Sequence, residues 1–295
     1  MKQRLMDRLA VETLVCDGAM GTQLFHRGLR SGSCGELWNI DRPADVRAIH
    51  RDYAEAGAML ITTNTFGGTP VALDRHGASD RVDAINRAGV ALAREASSDV
   101  FVLGDVGPLG VLLEPFGDLA IEDARRAFET QIASLVDADA ILVETMVDPV
   151  EASEAVRASR RVAPHLPVIA TFAFGAGLRT MMGSSPADCV DAARQAGASV
   201  VGANCGAGLT LEDYVRLAQE LVREAGEMPV IVQPNAGLPR EVDGRVVYDA
   251  TPDAVAQIAR QLIDAGVRIV GGCCGTTPAH VLAIARNPQA PVDRH

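Results

Sequence analysis

Eight short β-branched or aliphatic runs recur along the chain, and each is followed by Gly, Pro, Asn or Asp and then by a stretch of helical period. The runs are Leu14-Val15-Cys16, Met59-Leu60-Ile61-Thr62, Val100-Phe101-Val102-Leu103, Ala140-Ile141-Leu142-Val143, Pro167-Val168-Ile169-Ala170, Ser199-Val200-Val201-Gly202, Pro229-Val230-Ile231-Val232 and Arg268-Ile269-Val270. They are continuously apolar rather than alternating, which suits strands covered on both faces of a parallel sheet. Amphipathic stretches separate them: Pro43 to Ala56, Ser79 to Ala96, Ala120 to Asp137, then 149–162, 186–196, 210–225, 251–265 and 277–286. Three close on Ala-Gly-(Ala/Val) just before the next strand, at Gly57, Gly197 and Gly266, where glycine can take the left-handed conformation that stops a helix.

A pitch of roughly 30 to 45 residues per unit fits strand–helix units rather than a solenoid. Neither G-x-G-x-x-G after the first strand nor G-x-x-x-x-G-K-[ST] is present, so an open doubly wound nucleotide-binding sheet lacks its phosphate signature. The chain is expected to be α/β, a (β/α)8 TIM barrel, with residues 1–295 forming a single domain. Composition agrees: 48 % hydrophobic, 22 % charged, with 28 Gly and 15 Pro, an ordinary globular balance that excludes disordered, collagen-like and coiled-coil chains. The net charge of −11 is dispersed, with no basic stripe for nucleic acid. No apolar run approaches the roughly 18 residues that cross a bilayer. The N-terminus meets charge before a signal-peptide core could form, so the reading is a cytoplasmic protein with reduced thiols.

A barrel of this kind carries its chemistry where strands end. Standing there are Asp17-Gly18, Thr62-Thr63-Asn64, Asp105, Glu144, Thr171, Asn204-Cys205, Pro234-Asn235 and Cys273-Cys274. Cys273 and Cys274 are neighbours, and Cα atoms about 3.8 Å apart lie below the usual 4.4 Å floor of a relaxed disulfide. Both thiolates can face one ion only if the backbone turns between them, and Gly271, Gly272 and Gly275 supply that freedom. Cys205, two strands away, can converge on the same axis. Three thiolates select zinc over magnesium or calcium, and three protein ligands leave the fourth position of a catalytic zinc (Zn2+) open. Cys16, on a strand and expected to face away from Asp17, Cys189 within a helix and Cys34 in the first loop read as buried or incidental thiols. A free thiol is only about 3 % ionised at pH 7, yet the thiolate is the nucleophile. An open, sulfur-rich zinc site therefore implies alkyl transfer to a thiol.

The sequence resembles the homocysteine S-methyltransferase family, especially the homocysteine-binding module of cobalamin-dependent methionine synthase. The resemblance lies in Asp17-Gly18-Ala19-Met20-Gly21-Thr22, Thr63-Asn64-Thr65-Phe66, Gly104-Asp105-Val106-Gly107-Pro108, Val143-Glu144-Thr145, Gly202-Ala203-Asn204-Cys205, Pro234-Asn235-Ala236-Gly237 and Gly271-Gly272-Cys273-Cys274-Gly275-Thr276-Thr277-Pro278. It implies that Cys205, Cys273 and Cys274 hold zinc and that homocysteine sulfur takes the open place. It also implies that Asp17 and Glu144 meet the substrate ammonium and that the backbone from Gly18 to Thr22 receives its carboxylate. Asn204 is expected beside the metal ligands. Asn235 is either a weak ligand before substrate arrives or a loop-former after Pro234. Thr63 and Asn64 either line the pocket or cap the loop backbone. His26, His50, His76, His165, His280 and His295 are expected to be solvated rather than ligating.

Residues 19–42 form a long connection in a natural lid position, and Glu241 to Val247 reads as a hairpin with an Asp243-Gly244 turn, also like the methionine synthase module. The resemblance leaves the methyl donor open among a methylcorrinoid protein, S-methylmethionine and betaine. Asp74-Arg75-His76-Gly77 departs from the Asp-x-His-x-x-Gly cobalamin signature, so a corrinoid would arrive on a separate protein. Few aromatics are present to cage an onium group, with one Trp, three Tyr and seven Phe. Two other readings are a methyltransferase for a different thiol or selenol, and a non-catalytic zinc or corrinoid-protein docking subunit.

Overall fold

A computed structural model describes residues 4–242 and 245–286. All eight expected strands form: β1 (Leu14–Val15), β2 (Leu60–Thr62), β3 (Phe101–Val106), β4 (Ala140–Met146), β5 (Val168–Phe172), β6 (Val200–Asn204), β7 (Val230–Gln233) and β8 (Ile269–Val270). They are parallel throughout and run in the order β1-β8-β7-β6-β5-β4-β3-β2. A parallel bridge between Cys16 and Leu60 joins β1 to β2, and the sheet closes as a (β/α)8 barrel.

Period-two alternation along the strands divides the core in two. Leu14, Leu60, Phe101, Leu103, Leu142, Ile169, Val200, Ile231 and Ile269 fill the lumen. Leu5 and Leu9, from a short helix at Leu5–Leu9 that the sequence reading did not anticipate, join this cluster below the strands. The intervening residues, such as Val15, Ile61, Val102, Val143, Val201 and Val270, pack outward on the helices. Each fully buried aliphatic side chain contributes about 1.5–3 kcal/mol, which explains why the strands lack polar alternation.

Local chemistry sets the helix ends. Thr69, Asp148, Ser185 and Thr251 each accept a backbone N–H of the first turn, and Pro follows each of them directly, pairing an N-cap oxygen with a preset φ. Gly57, Gly197 and Gly266 adopt φ of +99°, +99° and +102°, the left-handed stop expected from the Ala-Gly-(Ala/Val) phrases.

The connection over 19–42 contains helices at Met20–His26 and Trp38–Asp41. It is pinned to the loop after β2: Asn39 donates to Asn64 O at 2.8 Å, Asn64 donates to Gly35 O at 2.9 Å, and Gly67 N donates to Glu36 Oε1 at 2.7 Å. Arg240–Val242 and Arg245–Val247 pair antiparallel, as expected of the hairpin; its Asp243-Gly244 turn lies outside the described residues. Among the described residues no helix is long and apolar enough to cross a membrane.

Two histidines depart from the solvated reading. His50 is fully buried with neither ring nitrogen partnered, and burial lowers its pKa to about 3. His280 is buried between Thr277 and the Ala250 carbonyl. Both lie on faces packed inward, which position in a helix alone does not reveal. His295 lies outside the described residues.

Candidate metal centre and amino-acid pocket

The C-terminal ends of β6 and β8 bring three sulfurs together. Cys205 and Cys274 Sγ atoms lie 3.9 Å apart, and the sulfurs of Cys205, Cys273 and Cys274 all fall within 4.8 Å of one another. A tetrahedron with Zn–S bonds of about 2.3 Å has edges of about 3.8 Å, so the spacing fits a metal ion bound to all three. All three thiols are free and partly exposed at the mouth, whereas Cys16, Cys34 and Cys189 are buried. Cys16 does not turn away from Asp17: its thiol donates to Asp17 Oδ1 at 3.4 Å.

Backbone geometry makes the convergence. Cys205 has φ of +53°, an uncommon left-handed conformation for a residue with a side chain. Cys205 N donates to Gln233 O at 3.3 Å, and the Tyr214 hydroxyl donates to Cys205 O. Around the neighbouring pair, Cys273 N donates to Pro234 O at 2.7 Å and Ala236 N to Cys274 O at 2.9 Å. Gly272 N donates to Asp17 O at 3.0 Å and Gly275 N to Thr22 Oγ1 at 3.1 Å. Gly275 is required twice over, since its φ is +80° and a Cβ there would sit 2.2 Å from Tyr248 Cγ.

Hydrogen bonding within the cluster favours the thiolate on Cys205. Hydrogen bonds from Cys273 and Cys274 lower the Cys205 pKa to about 3. Donating to Cys205 raises Cys273 and pushes Cys274 up to about 11. Tyr248, which the sequence reading did not single out, hydrogen-bonds to Cys274.

Near the sulfurs stand two acids, Glu144 and Asp17. β4 carries an irregularity between Val143 and Met146, where one extra residue enters its register with β5. Such a bulge re-aims side chains, and here it carries Glu144 and Thr145, the latter at φ of +61°. Burial raises Glu144 to about 8, with the nearby Cys205 charge adding to the effect. Asn204 ties the bulge down: its Nδ2 donates to Glu144 Oε2 and Thr145 Oγ1, both at 2.8 Å, and its Oδ1 accepts from Thr145 N at 2.9 Å and Thr171 Oγ1 at 2.8 Å. The same Nδ2 is 3.8 Å from Cys273 Sγ.

Asp17 is 2 % exposed. Its carboxylate accepts from Thr62 N at 2.7 Å and Thr62 Oγ1 at 3.0 Å, and burial raises its pKa to about 7. Gly18 permits a close approach, because a Cβ would lie 2.6 Å from Thr276 Oγ1 and 2.9 Å from the Tyr53 ring. Ala19 N donates to Thr276 Oγ1 at 3.1 Å, and the helix that follows includes Thr22 in its first turn. Asn235 Nδ2 donates to Gly206 O at 3.2 Å, while its Oδ1 is buried without a partner. Thr63 and Asn64 brace the loops: Thr63 Oγ1 accepts from Asp105 N at 2.9 Å, and Asn64 bonds Gly35 and Asn39. Thr62, Tyr214 and Tyr248 had no signal in the sequence beyond the strand end at Thr62, since their partners lie far away in the chain.

Comparison with known proteins places these features in a family. The homocysteine S-methyltransferase family model matches residues 14–287. Methionine synthase of Mycobacterium tuberculosis is 36 % identical over 304 aligned residues, covering 95 % of this chain and 25 % of that protein. Methionine synthase of Mycobacterium leprae is 34 % identical, again with 95 % and 25 % covered. The chain thus spans about a quarter of the length of these relatives. Among solved structures, the metallated form of the homocysteine methyltransferase MmuM from Escherichia coli superposes with a TM-score of 0.77 at 25 % identity, covering 93 % of this chain and 96 % of that one. Its oxidized form gives 0.75 at 26 % identity, with 95 % and 97 % covered.

Proposed function

Because the chain belongs to the homocysteine S-methyltransferase family, we propose that it methylates the sulfur of homocysteine to give methionine, with zinc held by Cys205, Cys273 and Cys274. The observation that carries this reading is the convergence of three sulfurs within 4.8 Å at the barrel mouth, beside Glu144 and Asp17. A zinc ion held there would supply a Lewis acid that favours thiolate over thiol near neutral pH.

The chain's own residues bind and orient the amino acid. Glu144 and Asp17 meet the α-ammonium, and a charged partner offsets the cost of ionising both acids in a buried setting. Apart from Ala19 N, which donates to Thr276 Oγ1, the backbone N–H groups between Gly18 and Thr22 face the α-carboxylate, because the first turn of the helix at Met20–His26 leaves donors unused. Asn204 holds Glu144 through its 2.8 Å bond and approaches Cys273 with the same nitrogen, so the ammonium site and the sulfur site keep a fixed separation. The Asn235 side chain hydrogen-bonds to Cys205, and its carbonyl oxygen, which has no other partner, can serve as a weak fourth ligand before substrate binds. The transfer forms a C–S bond from homocysteine sulfur to the methyl carbon. It breaks the bond from that carbon to the donor, whose electron pair leaves with the donor, and the thiol proton passes to solvent.

The test is methionine formation by zinc-loaded protein with homocysteine and, in parallel, S-methylmethionine, betaine and methylcobalamin, the last free or on a corrinoid protein. Calorimetry with homocysteine on loaded and metal-stripped protein accompanies it. Methionine from one donor, with metal-dependent homocysteine binding, supports the proposal. Neither heat nor product with any donor refutes it.

A further inference from the structure

Asp105 stands at the mouth end of β3 and has no part in the scheme above. It is 3 % exposed. By strand alternation it follows Phe101 and Leu103 into the lumen, and it pairs in register with Leu142, two residues before Glu144 on the adjoining strand. Its backbone is fully engaged: its N–H donates to Thr63 Oγ1, and its carbonyl accepts from Thr65 Oγ1 at 2.8 Å and Gln131 Nε2 at 3.0 Å. Holding β3 in place therefore makes no use of the carboxyl group.

The charged groups that act most strongly on that carboxyl are themselves acids. The carboxyl lies within hydrogen-bonding reach of Glu144, and the charges of Glu36 and Asp17 also act on it. One of its oxygens, Oδ1, is buried with no partner. Two carboxyl groups in contact share a proton rather than both ionising. A leucine or valine would fill this lumen position at lower cost, since an unsatisfied buried polar atom is destabilising. The carboxyl is thus explained by what it does to Glu144.

We propose that Asp105 is a third carboxyl of the amino-acid pocket, a positioning residue that donates a hydrogen bond to Glu144 and fixes it for the α-ammonium of the substrate. The inference rests on the reading of Glu144 given above. With one proton held between them, Asp105 and Glu144 carry a single negative charge, which joins that of Asp17 around the α-ammonium.

The experiment compares the dissociation constants of homocysteine and 4-mercaptobutyrate, which lacks only the amino group, on zinc-loaded protein. Their ratio reads the ammonium preference and cancels effects on the thiol site. Asp105→Ala is expected to reduce that preference at least about tenfold, the scale of one hydrogen bond to a charged group, while 4-mercaptobutyrate binding changes little. Asp105→Asn, an isosteric amide that still donates, is expected to restore most of the preference. An unchanged ratio in Asp105→Ala, or an Asp105→Asn protein as impaired as Asp105→Ala, overturns the inference while leaving the proposed function intact. No ammonium preference in the unmutated protein overturns both. The infrared difference between unmutated protein and Asp105→Asn provides a reading that does not depend on the alanine protein folding: the carbonyl stretch of an un-ionised acid supports the inference, and a carboxylate band alone refutes it.

Discussion

Asn204 Nδ2 donates to Glu144 Oε2 at 2.8 Å, and this bond spans β6 and β4, which are not neighbours in the barrel because β5 lies between them. The same side chain reaches Thr145, Thr171 and the neighbourhood of Cys273. One amide therefore fixes both halves of the proposed site. Asn204→Leu leaves Glu144, Thr145 N and Thr171 without these partners in a residue position that is 1 % exposed. It should cost about 2–4 kcal/mol of stability in urea unfolding and raise the homocysteine KM by at least about tenfold.

Hydrogen bonding with Cys273 and Cys274 favours the thiolate form of Cys205 over that of its partners. Metal loading at neutral pH must then remove the protons of Cys273 and Cys274, so about two protons should be released per metal ion. Calorimetry in buffers of different ionisation enthalpy measures this number. Cys205→Ala should weaken zinc binding by about a hundredfold or more, seen as metal content after dialysis against a chelator. Retention of a full equivalent of metal would contradict the site.

Tyr214 binds no ligand in this scheme, yet its hydroxyl holds the carbonyl of Cys205 and accepts from Asn235 N at 3.4 Å. The residue is otherwise a buried ring on the helix at Leu211–Ala225. Tyr214→Phe keeps that packing and removes the brace on a cysteine in a left-handed conformation. Zinc affinity should fall about tenfold in chelator competition, in line with losses seen when partners of metal ligands are removed, with little change in the circular dichroism spectrum.

Glu144 provides a pH signature. Burial, followed by the charge of Cys205, raises its pKa from 4.5 to about 8, so between those values the folded state holds a proton that the unfolded state has lost. Its contribution to stability is thus full below about pH 4.5 and lost as pH rises through about 8. Glu144→Gln does not titrate, so urea unfolding should show the variant gaining stability relative to the parent as pH rises from 5 to 8. Homocysteine binding should move the other way: parent affinity, relative to 4-mercaptobutyrate, should rise over pH 6–8 as the carboxylate forms, and the variant should lose this rise. A variant whose relative stability is flat with pH would show that Glu144 is not held protonated by its surroundings.

Sequence by itself determined the barrel and the donor set. Continuous apolar runs at β1 to β8 can be satisfied only by burial on both faces, and short-range stereochemistry marks helix ends at Pro43, Gly57, Gly197 and Gly266 without reference to distant residues. Three cysteines at two strand ends likewise announce a soft donor set from residue type alone. Tertiary structure decided which side chains meet. Glu144 faces Asn204 and Asp105 because one extra residue bends β4, and no glycine announces the positive φ at Thr145 or Cys205. The partners that brace the site, Asp17 with Thr62, Gly275 with Thr22, Tyr53 with Thr276, lie 45, 253 and 223 residues apart. A hydrogen bond depends on angles and distances of tenths of an ångström, and across such separations only closure of the barrel sets them.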